Sequence, residues 1–136
     1  MPEESSSNNL AADGQRTILV VEDEQHTLRL LKLIFLQNGY DVLTAADGDE
    51  AMQVFRAHNL DIDIVFLDLG LPKINGENVF LKMREANPNV CVVIATGFLE
   101  PEVKTEMVRA GVEHFFLKPY MFDEIIKTFQ SLIETA

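Results

Sequence analysis

The stretch Ile62-Asp63-Ile64-Val65-Phe66-Leu67-Asp68-Leu69-Gly70-Leu71-Pro72 is nearly all apolar as far as Leu67, turns acidic at Asp68 and then meets Gly70 and Pro72. A run this apolar suits a strand with helices over both faces, as in a parallel sheet. Four further runs share the character: Ile18-Leu19-Val20-Val21, a weaker Asp41 to Ala45, Val90 to Ala95, and Val112 with His114-Phe115-Phe116-Leu117. Segments of helical period lie between them. The first carries Leu28, Leu31 and Phe35 and stops at Asn38-Gly39, where glycine takes the left-handed cap. The second covers about 49–58 with Ala51, Val54 and Phe55 inward, and the third about 76–86 with Val79, Phe80 and Met83. A fourth starts near Glu100-Pro101, proline in the favoured first turn, and has only a thin stripe of Val103, Met107 and Ala110. The last sets Phe122, Ile125, Ile126, Phe129, Leu132 and Ile133 on one face. Five strands alternating with five helices predict an α/β fold, with right-handed crossovers and a mainly parallel sheet covered on both sides.

The chain has 136 residues, a formal charge of −11, 47% hydrophobic and 24% charged residues. That length suits one domain, and the acid excess argues against nucleic-acid binding by this chain and against anionic membranes. Residues 1–16 are polar and acidic and are expected to be a flexible tail, with 17–136 as the folded domain and no effector domain after it. No secretory signal opens the chain and no apolar run approaches the roughly 18 residues that span a bilayer, so a cytoplasmic protein is expected. Cys91 is the single cysteine, read as a small buried strand residue. His26, His58 and His114 form no transition-metal grouping, and Met52, Met83, Met107 and Met121 read as core filler. No Gly-x-x-x-x-Gly-Lys loop follows the first strand, which argues against a nucleotide triphosphatase.

In an open parallel sheet the ligand crevice lies beyond the carboxyl ends of the strands. The first run ends in Glu22-Asp23-Glu24, the third in Asp68, the fourth in Thr96 and the fifth in Lys118-Pro119. All would converge on one rim. Carboxylates gathered there repel one another unless a cation is shared, and hard oxygen donors with room for water suit Mg²⁺.

The chain resembles the receiver domain of two-component response regulators from about Thr17 to Glu134. The resemblance rests on Val20-Val21-Glu22-Asp23-Glu24, on Leu67-Asp68-Leu69-Gly70-Leu71-Pro72 with Asn75-Gly76, on Ala95-Thr96-Gly97, and on Phe115-Phe116-Leu117-Lys118-Pro119. It implies a flavodoxin-like doubly wound sheet of five parallel strands in the order 2-1-3-4-5. It also implies that Asp68 is a phosphoacceptor, with Mg²⁺ held by Glu22, Asp23, Asp68 and the backbone carbonyl of Gly70. Lys118 would bind a phosphoryl oxygen, Thr96 would donate to another, and Lys118-Pro119 would be a cis peptide. The switch aromatic falls at Phe115, where a phenylalanine in place of a tyrosine leaves the inward state to apolar burial alone. Gly70 and Phe98 replace more polar choices beside the acceptor, which implies slow loss of the phosphoryl group. Glu22 stands where an aspartate is frequent, so its longer arm reaches the metal through water. Glu24 reads as a charge favouring a helix N-terminus.

The resemblance implies a phosphorylation switch, self-catalysed in phosphotransfer but no multi-turnover enzyme. Its donor would be a sensor histidine kinase or a histidine phosphotransfer protein. Output would go to a downstream protein through the fourth helix, fifth strand and fifth helix, from a monomer or a phosphorylation-dependent homodimer. The competing readings are a pseudo-receiver that binds partners constitutively and a flavodoxin-like electron carrier. Glu22-Asp23-Glu24 would repel the anionic cofactor of the latter.

Overall fold

A computed structural model describes residues 15–71 and 75–134. Strands β1 (Thr17–Val21), β2 (Asp41–Ala45), β3 (Ile64–Asp68), β4 (Cys91–Thr96) and β5 (His114–Leu117) alternate with helices α1 (Gln25–Gln37), α2 (Gly48–His58), α3 (Gly76–Ala86), α4 (Pro101–Arg109) and α5 (Phe122–Glu134). The strands form one parallel sheet in the order β2-β1-β3-β4-β5, which is the flavodoxin-like topology the resemblance implies.

Alternation along each strand divides the core in two. Leu19, Val21, Val65, Leu67, Val92 and Ile94 face Phe55, Phe80, Met83 and Met107 of α2, α3 and α4. Ile18, Val20, Ile64, Phe66, Val93 and Ala95 face Leu31, Phe35, Ile125 and Phe129 of α1 and α5. On that second side Phe35, Phe66 and Phe129 meet with ring centroids 4.8–6.3 Å apart. Burying each such side chain contributes about 1.5–3 kcal/mol, so both halves of the core are substantial.

Local signals place the helix ends. Gly39 takes φ 91° after α1. Asp47 caps α2 by accepting the Glu50 N–H at 2.8 Å, and Asn75 caps α3 by accepting from Asn78 at 2.9 Å. Glu24 caps α1, its carboxylate accepting from Thr27 N at 2.7 Å and His26 N at 3.3 Å. α4 buries only Met107, in line with its thin apolar stripe.

Several expectations are corrected in detail. β3 begins at Ile64, two residues later than the apolar run, because Asp63 turns its carboxylate onto the Thr17 N–H at 2.8 Å. Cys91 is half-buried, since it opens β4 at the less covered end of the sheet. Met121 is 61% exposed in the turn before α5 and fills no core. Of the expected tail, residues 1–14 lie outside the described residues, while Gln15 donates to Asp41 at 3.1 Å and Arg16 accepts from the Asp41 N–H at 2.9 Å. Pro72 also lies outside them. Among the described residues no helix is long and apolar enough to cross a membrane.

Candidate functional site

Parallel register sets the strand ends side by side. Val21 pairs with Leu67, Asp68 with Ala95, and Thr96 with Leu117. The residues that end or follow these strands therefore meet at the carboxyl rim: Glu22, Asp23, Asp68, Thr96 and Lys118. Among the described residues the buried polar side chains are Glu22, Asp68 and Thr96, all three at this rim. Buried polar groups are costly unless they are paired, so their collection in one place marks the site independently of any motif.

The rim is wired by short hydrogen bonds. The Lys118 ammonium donates to Asp68 Oδ2 at 2.7 Å and to Glu22 Oε1 at 3.4 Å. The Gly70 N–H donates to Asp68 Oδ1 at 2.9 Å, so both oxygens of Asp68 are held and its rotamer is fixed. Glu22 Oε2 accepts from the Glu24 N–H at 3.0 Å. The Lys118 N–H donates to the Thr96 carbonyl at 2.8 Å, tying the loop after β5 to β4, and the Lys118-Pro119 peptide is cis.

Burial pushes the Glu22 carboxyl above its ordinary range, with added repulsion from Asp68. The Glu24 N–H and Lys118 oppose this without cancelling it. For Lys118 burial works against the charge, but the hydrogen bond and attraction of Asp68, with that of Glu22, outweigh it and hold the ammonium above its usual range. The cluster thus carries more negative charge than its single cation balances.

Oxygens of Glu22, Asp23 and Asp68 lie within 4.8 Å of one another. Asp23 is exposed beside its two buried partners, leaving room for water on an ion. Hard oxygen donors in that arrangement fit Mg²⁺. The Gly70 residue lies next to them through its N–H to Asp68. Thr96 is brought to the rim, but its hydroxyl donates to the Phe98 carbonyl at 2.9 Å and so faces its own loop. Phe115 is half-buried against the α2–α4 side of the core, with the Lys104 ammonium 5.9 Å from its ring centroid. A cavity of about 270 Å³ beside the site has Gly70, Thr96 and the 75% exposed Phe98 on its wall. A larger cavity of about 520 Å³ lies at the far end of the sheet, where Asp41 and Asp63 are already tied to Gln15 and Thr17.

Two further residues shape the rim. Gly76 opens α3 against the backbone of Asp68 and Leu69, and a Cβ there would meet Leu69 Cα at 2.5 Å. Tyr120, two residues past Lys118, carries no sequence signal of its own, yet its hydroxyl is buried beside the rim.

The family model described as "Response regulator receiver domain" matches residues 18–130. The chain is 28% identical over 88% of its length to the cell cycle transcriptional regulator CtrA of Caulobacter vibrioides, and covers 51% of that protein. It is 32% identical over 81% of its length to the alkaline phosphatase synthesis transcriptional regulatory protein PhoP of Bacillus subtilis, and covers 45% of it. The chain thus spans about half the length of these curated relatives. The CheX-CheY-BeF3-Mg complex from Borrelia burgdorferi superposes with a TM-score of 0.82 at 28% identity, over 87% of this chain and 89% of that one.

Proposed function

The chain belongs to the response regulator receiver domain family, and from that membership we propose that it is a phosphorylation switch whose acceptor is Asp68. The observation that carries this reading is the buried carboxylate of Asp68, held on one oxygen by Lys118 and on the other by the Gly70 N–H, beside two further carboxylates.

The donor in this reading is a phosphohistidine on a sensor kinase or phosphotransfer protein, with a small acyl phosphate as a substitute. An oxygen of Asp68 attacks phosphorus. The new O–P bond forms as the bond to the donor's imidazole nitrogen breaks, and that bond's electron pair leaves with the imidazole. Such transfer needs chiefly positioning and charge neutralisation. The two hydrogen bonds fix the attacking group, and the β3 end presents it at the rim. Glu22, Asp23, Asp68 and the Gly70 carbonyl would hold Mg²⁺, which when bound supplies positive charge against the transferred oxygens. Lys118 follows the new charge from the carboxylate to a phosphoryl oxygen. Thr96 gives up its bond to Phe98 and donates to another.

That rotation of Thr96 opens space for Phe115 to move inward from beneath Lys104, a population shift toward a second packing of the α4 and β5 region. α4 is the helix least anchored by buried side chains, so it shifts at small cost. Output leaves through the face of α4, β5 and α5, where Val108, Leu117 and Met121 are more than half exposed. The receiver either engages a protein there or pairs with a second copy, and at a charge of −11 it does not itself contact nucleic acid or an anionic membrane. It works in the cytoplasm and turns over only its own phosphoryl group. Calorimetric titration with beryllofluoride in the presence of Mg²⁺ tests the reading. Saturable binding that requires the metal is expected, and no binding would contradict it.

A further inference from the structure

Glu22 is 2% exposed and depends on two donors, the Glu24 N–H on Oε2 at 3.0 Å and the Lys118 ammonium on Oε1 at 3.4 Å. Lys118 divides itself between that oxygen and Asp68, with the shorter contact, 2.7 Å, to Asp68. Transfer replaces one carboxylate charge on Asp68 by a phosphoryl group with about two negative charges further from β3. The one ammonium follows that charge, and Glu22 Oε1 is left without its donor inside the protein. The metal that Glu22 would help to hold compensates its charge, but a carboxylate in that role is oriented by a hydrogen-bond donor on its other side, and with Lys118 gone that place is open.

Glu22 and Lys118 share the wall of a cavity of about 460 Å³ with Glu24, Thr27 and Tyr120. The Thr27 hydroxyl and N–H both donate to the Glu24 carboxylate at 2.7 Å, and the Glu24 N–H is already on Glu22. The Tyr120 hydroxyl is buried and has no hydrogen-bond partner among the described residues. Its ring is fixed by Phe66 at 5.8 Å, Phe122 at 6.0 Å and Phe116 at 6.5 Å, so the direction of the hydroxyl is fixed too. Burial and then the charge of Glu22 push this phenol up to about 12, which keeps it protonated and able to donate at any physiological pH. Phenylalanine would satisfy the aromatic cluster equally well, so packing leaves the hydroxyl unexplained.

We infer that Tyr120 is a positioning residue of the phosphoryl site, its hydroxyl donating to Glu22 once Lys118 leaves that carboxylate for the transferred group. The inference rests on the phosphoacceptor reading and adds the group that keeps Glu22 oriented in the second state. Tyr120→Phe isolates the hydroxyl. With Mg²⁺ alone Lys118 remains on Asp68, so the variant binds Mg²⁺ within twofold of the wild type. Its affinity for beryllofluoride with Mg²⁺ falls about tenfold, the effect of one hydrogen bond to a charged group. Its melting temperature is not lowered, since the hydroxyl it loses is unpaired in the resting protein. Equal beryllofluoride affinity in variant and wild type would overturn the inference alone. A lowered melting temperature with both affinities falling together would also overturn it, in favour of a packing role. A wild type that takes up no beryllofluoride would remove the phosphoacceptor reading and this inference with it.

Discussion

A Cβ built at Gly76 would lie 2.5 Å from the carbonyl oxygen of Asp68. The Gly76 N–H donates to the Leu69 carbonyl at 3.1 Å, so the first turn of α3 is laid directly on the backbone that carries Asp68. Gly76→Ala must push α3 or the end of β3 aside, and no flexible side chain is there to yield. A loss of about 1–3 kcal/mol is expected in urea unfolding, as for overpacked cores, together with slower phosphorylation. Wild-type stability in the alanine variant would show that the approach is looser than described.

Lys118 is the cation that separates two buried carboxylates, Glu22 and Asp68. Breaking a fully buried pair costs about 3–5 kcal/mol, but the Lys118 side chain is 34% exposed, and screening reduces the expected loss in Lys118→Met to about 1–2 kcal/mol. With the cation gone, Asp68→Asn relieves repulsion on Glu22. That second change should therefore stabilise the Lys118→Met protein more than the wild type, with a coupling of at least about 1 kcal/mol in a double-mutant cycle. Additive effects would mean that the three groups do not act as one cluster.

The element order, the two-sided core and the rim residues were legible because each rests on local pattern: apolar runs, helical stripes, and a polar residue at the end of a run. Gly39 and the start of α4 at Pro101 follow from single-residue chemistry in the same way. What pattern does not carry is contact between distant segments. The two-residue trim of β3 depends on Asp63 meeting Thr17, 46 positions away. The half-exposure of Cys91 and the exposure of Met121 depend on which end of the sheet the helices leave open. Likewise the resting Thr96 hydroxyl turns to Phe98, a choice between two acceptors that no spacing decides.

Neither Gly70 nor Phe98, beside Asp68 and Thr96, has a polar side chain to orient an attacking water. Gly70 has no side chain, and Phe98, 75% exposed on the cavity wall, offers only an apolar ring. The aspartyl phosphate is expected to decay over minutes or longer without a phosphatase. Decay of the phosphorylated mass over time measures this, and a half-life of a few seconds would contradict it.

Burial, with repulsion from Glu113, pushes the Cys91 thiol up to about 11. The thiolate is the nucleophile, so alkylation at pH 8 should run about a hundredfold slower than for free cysteine. A thiol pKa raised in the folded state contributes stability below the unfolded value of about 8.5 and loses it as pH rises toward 11. Cys91→Ser should therefore flatten the decline in stability across that window. Rapid labelling at pH 8 would place the thiol in solvent.

The central claim is that Asp68, held by Lys118 and Gly70 at a rim of carboxylates, accepts a phosphoryl group. Intact mass after incubation with acetyl phosphate, with and without Mg²⁺, tests it on the wild type and on Asp68→Asn. One added phosphoryl group is predicted on the wild type only when Mg²⁺ is present, and none on Asp68→Asn, which stays folded because one rim carboxylate adds little to the core. Phosphate retained on Asp68→Asn, or a wild type left unmodified with the metal supplied, would contradict the account.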